Sequence, residues 1–295
     1  MSIRQEYLRG LKSIAVEEVF DLIFYRPLAF LLVKGIYSTS ITPNQLTLIS
    51  MLLGIVGGIC YVVGTPEAFV AAGIFCILYN IVDCIDGQLA RMKHSGTPIG
   101  RILDGFADYA VSTAVYVGIL IGYAIPAPEP AGLIVLTVAA AAGNTVTAAL
   151  LDFYRNRYLD ITLSRTSVLT KGQDEFAAVY ENLRSQPGHW LEKGLIWIYL
   201  KYSAVQRGLI GHKDEESRRT YAVDPAVYAR ENRILMHLWT YLGPTTQWTA
   251  LVICSFINRI DIFFWWMGVI APILALVLFM VQKVKDRQLH VQEAA

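Results

Sequence analysis

The chain has 295 residues, of which 55% are hydrophobic and 17% charged, with 25 Lys and Arg against 24 Asp and Glu. That composition is too apolar for an ordinary soluble domain. A net charge of +1 says nothing about partners, so the distribution of charge has to carry the argument.

The first eighteen residues, MSIRQEYLRGLKSIAVEE, are charged throughout and lack an apolar run, which is not the pattern of a cleavable signal peptide. Six stretches after them are long enough to cross a bilayer, which needs about 20 apolar residues. They cover residues 44–63, 68–91, 98–124, 131–153, 234–257 and 261–281. The expected fold class is therefore an all-α integral membrane protein with six transmembrane helices. Pro244 is expected to kink the fifth span, with the freed carbonyls facing a polar cavity.

The links GTPE and PAPEP contain no Lys or Arg, whereas ARMKHSGTPIGR, the segment 156–230 and the tail QKVKDRQ are rich in both. Eleven of the 25 cationic residues lie in 156–230 alone. By the positive-inside rule these ends, and both termini, are expected on the cytoplasmic side; only Arg259 dissents. The organisation follows: a cytoplasmic N-terminus with a juxtamembrane helix over 1–43, spans one to four over 44–155, a cytoplasmic insert over 156–230, spans five and six over 231–283, and a tail over 284–295.

Cys60, Cys76, Cys84 and Cys254 all fall inside spans without a CxxC pair, so they read as packing residues and not as disulfides or zinc ligands. Gly54 and Gly58 have the GxxxG spacing of close helix contact.

The second and third spans hold four aspartates, Asp83, Asp86, Asp104 and Asp108. Thr97 followed by Pro98 marks the start of the third helix. At about 100° per residue, Asp86, Gly87 and Ala90 all lie within about 60° of Asp83, and Asp104 and Asp108 share a face with Gly100. The short turn between the helices lets the two acidic faces look at each other near the cytoplasmic surface.

A carboxylate within a span costs on the order of 2.5–3.5 kcal/mol. Arg91 and Arg101 alone do not neutralise four of them. Hard oxygen ligands suit two ions of Mg²⁺ or Mn²⁺, and an ion pair roughly 3.5–4 Å apart suits displacement at phosphorus. The small residues beside the acids leave room for a diphosphate, with Arg91 as a planar cation for it.

DCIDGQLARMKHSGTPIGRILDGFAD resembles the CDP-alcohol phosphotransferase (phosphatidyltransferase) family. The class I type signature D-x-x-D-G-x-x-A-R, eight residues, G-x-x-x-D-x-x-x-D is matched at every position, by Asp83, Asp86, Gly87, Ala90, Arg91, Gly100, Asp104 and Asp108. The resemblance covers roughly residues 42–153, and RPLAFLLVKGIYS looks like the amphipathic helix that lies on the membrane in some members. It implies that Asp83, Asp86, Asp104 and Asp108 hold the metals, and that Asp108 also takes the proton of the acceptor hydroxyl. It implies a CDP site lined by Gly87, Ala90, Arg91 and Gly100, with Asn44 as a further contact.

The reaction implied is metal-dependent transfer from a CDP-linked lipid such as CDP-diacylglycerol to a small polar alcohol. CMP is released, and the setting is phospholipid biosynthesis. Relatives often form homodimers. Arg155 and Arg157 at the end of span four would suit a phosphorylated acceptor such as inositol phosphate or glycerol phosphate, though cations there also mark topology.

Residues 189–210 read as a helix lying at the interface or packed beneath the helical bundle, and 211–225 as a solvated loop. That region carries no nucleic-acid motif, and the five histidines form no ligand spacing. Two other readings use the same acids: an intramembrane aspartate-rich prenyltransferase, and a cation-coupled transporter. Six spans and the interleaved Gly, Ala and Arg weigh against the first; the lack of matched interrupted halves weighs against the second.

Overall fold

The structure is a computed structural model that describes residues 2–163, 177–184, 186, 188, 193, 194, 196, 197, 200 and 223–293. Every regular element among them is helical. Three long helices begin the same way. α3 (Pro43–Val63), α4 (Pro66–Met92) and α5 (Pro98–Ile119) each have a threonine N-cap followed by proline. The hydroxyls of Thr42, Thr65 and Thr97 accept from the N–H groups of Gln45, Ala68 and Gly100. Proline has no N–H to leave orphaned in that first turn. α3 ends at Gly64, whose φ of 74° suits a residue without Cβ.

Before them come α1 (Ile3–Arg9) and α2 (Arg26–Ile36), joined by residues 10–25. α2 buries Arg26, Ala29, Phe30 and Val33 and leaves Leu31 and Leu32 bare, an amphipathic helix with an apolar outer edge. After α5 and its π-type turn, Leu120–Ala124, come α6 (Pro130–Thr162), α7 (Pro225–Thr240), α8 (Pro244–Phe256) and α9 (Ile260–Trp265). A second π-type turn, Trp266–Ile270, leads into α10 (Ala271–Glu293).

Among the described residues, five helices are long and apolar enough to cross a membrane: Pro43–Val63, Pro66–Met92, Ile99–Ala124, Pro130–Thr162 and Ile260–Leu289. They leave Leu52, Ile59, Val135, Val138, Ile273 and Leu276 exposed, a surface suited to lipid. The chain is thus a multi-pass membrane protein.

The stretch expected as a fifth span is not one helix. Pro244 cannot donate a backbone hydrogen bond and biases the residue before it towards extended backbone; Gly243 takes φ −80°, ψ 162°. The expected kink is a break between α7 and α8. At about 1.5 Å per residue, the 13 residues of α8 reach about 20 Å, short of a hydrocarbon core of about 30 Å. Two other boundaries also move. α6 continues past residue 153 to Thr162, and α10 carries the expected tail on as helix to Glu293. Most of the expected interfacial helix and loop, 189–225, lies outside the described residues. Ile196, with Val179, Tyr180, Leu183 and Leu200 around it, packs against Ile102 in the first turns of α5.

α3 is the element on which α4 and α5 both pack most extensively, while α4 and α5 barely touch each other. The GxxxG pair makes that approach: Gly54 lies under Val111, and a methyl at Gly58 would stand 2.6 Å from the Ala114 backbone. Opposite α3, α8 packs on α4, and α6 is joined by α7, α9 and α10 around Tyr154, Trp239, Phe263 and Phe264. All four cysteines are free.

Candidate active site

Because α4 and α5 lean on α3 and not on each other, their acidic sides face across a gap beside the turn 93–97. One carboxylate oxygen from each of Asp83, Asp86 and Asp104 lies within 4.8 Å of the others. Asp86 is buried and is held by the Thr47 hydroxyl of α3, which donates to its Oδ2 at 2.6 Å. Asp108, one turn beyond Asp104, is exposed and is not one of those three, yet among the neighbouring carboxylates its charge bears most strongly on Asp83. Its Oδ1 accepts a 2.6 Å hydrogen bond from the hydroxyl of Tyr79, which is buried on α4.

Two of the small residues of the signature are met by polar side chains. The Arg91 guanidinium lies against Gly87, where a methyl would stand 3.3 Å from both terminal nitrogens. A methyl at Gly100 would stand 2.8 Å from Asn44 Oδ1, so Asn44 and Gly100 are neighbours. The Ala90 carbonyl accepts from the Ser95 N–H at 3.0 Å and closes the turn. Arg155 and Arg157 diverge. Arg155 lies 3.5 Å from Glu18, and Arg157 lies 3.1 Å from Asp286 on α10.

Sequence spacing missed three contributors: Thr47, Tyr79 and the segment 10–26. Thr47 sits three residues after Asn44 and Tyr79 four before Asp83, so each shares a helix face with a residue already singled out. The segment 10–26 straps this end of the bundle. The Gly10 carbonyl accepts from Arg91 Nε at 2.6 Å, and Gln88 donates to the Arg26 carbonyl at 2.9 Å. Glu17 accepts from the Lys12 N–H at 2.9 Å and pairs with Arg26 at 2.9 Å. Glu18 accepts from the Thr246 N–H at 2.8 Å and from its hydroxyl at 3.1 Å. Burial, then the charge of Asp21, pushes the Glu18 carboxyl up to about 7, against the pull of Arg155. The one signal in the sequence was the acid cluster of VEEVFD.

Three hard oxygen donors this close fit a small divalent cation such as Mg²⁺ or Mn²⁺. Lys12 and Arg91 are the cations that act on Asp104, too few to balance the four carboxylates.

Residues 40–173 match the family model described as CDP-alcohol phosphatidyltransferase. Among curated proteins, the chain is similar to the bifunctional IPC transferase and DIPP synthase of Thermococcus kodakarensis, with 38% identity over 23% of this chain and 15% of that one. It is 31% identical to the phosphatidylinositol phosphate synthase of Corynebacterium glutamicum over 36% of this chain and 47% of that one. To the archaetidylinositol phosphate synthase of Pyrococcus horikoshii it is 30% identical, over 30% and 46% respectively. The chain thus spans less than half the length of each of these relatives.

Proposed function

On the premise that residues 40–173 carry a CDP-alcohol phosphatidyltransferase domain, we propose that this protein transfers a phosphatidyl-type group from a CDP-linked lipid to the hydroxyl of a phosphorylated polyol. The observation that carries the reading is the trio Asp83, Asp86 and Asp104, closed to within 4.8 Å between two helices that otherwise barely touch. Inositol phosphate is the acceptor the relatives' names favour, two of them being phosphatidylinositol phosphate and archaetidylinositol phosphate synthases.

Divalent ions bound by the trio would neutralise charge on the diphosphate and on departing CMP. The chain's own residues do the rest. Thr47 fixes Asp86, and Asn44 with Gly100 bounds the space for the CDP moiety. Arg91, steadied by the Gly10 carbonyl, offers its guanidinium to the diphosphate. The acceptor oxygen attacks the β-phosphorus, the bond from that phosphorus to the bridging oxygen breaks, and CMP leaves with the oxygen. The hydroxyl proton passes to Asp108, whose exposed carboxyl Tyr79 holds from one side.

The same reading places the site and both termini on the cytoplasmic side, as the Lys and Arg distribution indicates. It keeps α7 and α8 together as a broken fifth span, six crossings in all, and includes a homodimer.

CMP release by purified protein in detergent tests the reaction, with CDP-diacylglycerol, Mg²⁺ or Mn²⁺, and separate acceptors: inositol phosphate, glycerol phosphate, free inositol, serine, ethanolamine and choline. Metal-dependent release stimulated by one acceptor and lost in Asp108→Asn is expected. Failure to bind CMP with metal present sinks the transferase reading.

A further inference from the structure

Resting on the transferase reading, we propose that Lys12 is an acceptor-binding residue, brought to the site by the N-terminal strap to meet the phosphate monoester of the acceptor. The strap is fastened on both sides of it. Two residues earlier, Gly10 is bonded to Arg91 of the signature helix, and the Lys12 N–H is itself bonded to Glu17, which Arg26 holds. Leu11 and Val16 are buried as anchors, whereas Lys12 keeps an exposed side chain. A strap pinned this way has no packing reason to present a lysine at this point.

The charges around Lys12 say what it is for. Its ammonium acts on Asp104 and on Asp108, and it feels Arg91, Arg155, Asp152 and Glu17. Glu17 is already taken by Arg26 and the Lys12 N–H. The trio suits divalent cations, which would remove Asp104 as a partner. Three mutually repelling cations, Lys12, Arg91 and Arg155, then share one neighbourhood, in which Asp152 is still a counter-charge.

Arg155 adds an independent observation. Among the described residues its Nε and Nη2 are buried without a hydrogen-bond partner, and Glu18 at 3.5 Å is an ion pair but not a hydrogen bond. Buried N–H donors left unmade are costly and point to an absent acceptor group. A phosphate offers several such oxygens.

Position decides between the two phosphates of the reaction. Arg91 stands on the α4 face with Gly87, on the donor side. The strap enters beside Arg91 at Gly10 and is held again at the Lys12 N–H by Glu17, and from there the Lys12 charge bears on Asp108, the group that must sit beside the acceptor hydroxyl. The anion Lys12 meets therefore belongs to the molecule whose hydroxyl lies at Asp108.

Lys12→Gln and Lys12→Arg are compared with wild type in two assays. Calorimetric titration with inositol phosphate and with glycerol phosphate, in Mg²⁺ and without donor, reads binding whether or not turnover occurs. CMP release reads KM for inositol phosphate, free inositol and CDP-diacylglycerol. Lys12→Gln is expected to weaken phosphorylated-acceptor binding and raise its KM about tenfold or more. It should leave KM for CDP-diacylglycerol and the Mg²⁺ requirement in place, and Lys12→Arg should restore most of the loss. Equal losses for free and phosphorylated inositol, or a changed Mg²⁺ requirement, would reduce Lys12 to a neutraliser of carboxylates and overturn the proposal. Unchanged inositol phosphate and glycerol phosphate binding overturns it as well. Wild-type protein that binds these phosphates but releases no CMP from any acceptor would instead count against the transferase reading.

Discussion

Tyr79→Phe isolates the one hydrogen bond that Asp108 receives among the described residues. The hydroxyl donates at 2.6 Å, and the ring is buried edge-on to Trp248 with centroids 5.5 Å apart. Phenylalanine keeps that packing and removes only the bond to the carboxylate, a charge-assisted contact of about 1.5–3 kcal/mol. If the bond holds Asp108 where it receives the acceptor proton, the loss appears in kcat. At about 1.36 kcal/mol per tenfold, kcat for CMP release falls by roughly 10- to 150-fold. KM for the CDP lipid should hold, because Tyr79 touches neither Asn44 nor Gly100. Tyr25→Phe, which gives up a 3.3 Å bond to Thr249 instead, is the control and should keep its kcat. A folded Tyr79→Phe protein with wild-type kcat would refute the reasoning, because Asp108 would then need no positioning from α4.

Three further outcomes follow from the same contacts. Glu18 has a carboxyl raised from 4.5 to about 7, so the folded chain keeps a proton that the unfolded chain loses. Its stabilisation is complete below pH 4.5 and is lost as pH rises through about 7, on the order of 3 kcal/mol in all. Glu18→Gln should therefore melt with less change between pH 5 and pH 8 than wild type, and an equal pH slope would exclude Glu18 as its source. Gly100→Ala places a methyl 2.8 Å from Asn44 Oδ1 and 3.1 Å from the capping Thr97 hydroxyl, an overpacking of about 1–3 kcal/mol. KM for the CDP lipid should rise severalfold; an unmoved KM would remove Asn44 from the donor site. Gly58→Val drives a branched side chain into the Ala114 backbone and should lower the melting temperature in detergent, whereas Gly35→Val, with nothing within 4 Å, should not.

Local signals carried the first four spans. Thr-Pro starts, apolar runs of the right length and Gly64 at a left-handed end all act within a few residues, so α3 to α6 were legible. The break before α8 was local too: Pro244 marked a kink, and the extended backbone of Gly243 makes it a full separation of two helices. The acids were legible because helical spacing puts Asp83 with Asp86 and Asp104 with Asp108. Their supports were not, since they come from far along the chain. Thr47 reaches Asp86 across 39 residues, Tyr79 reaches Asp108 across 29, and Gly10 reaches Arg91 across 81. No period in the sequence encodes those distances; α3 sets the first two by standing behind both acid-bearing helices.

The arrangement of charge also separates the competing readings. A carboxylate turned to lipid costs about 2.5–3.5 kcal/mol, so the gap between α4 and α5 is what makes the trio tolerable. Gly54 and Gly58 draw α3 tightly against α5 and keep that gap in place. A path for cations needs such carboxylates and gains nothing from guanidinium groups beside them. Here Arg91 is laid over Gly87 and Arg155 keeps buried, unbonded donors near the strap. Each repels a travelling cation, and each costs free energy to bury. Acids and bases side by side match a ligand that carries both signs, divalent ions on its diphosphate facing the trio and phosphate oxygens facing the cations. A metal–nucleotide complex has that polarity, and a bare metal ion does not.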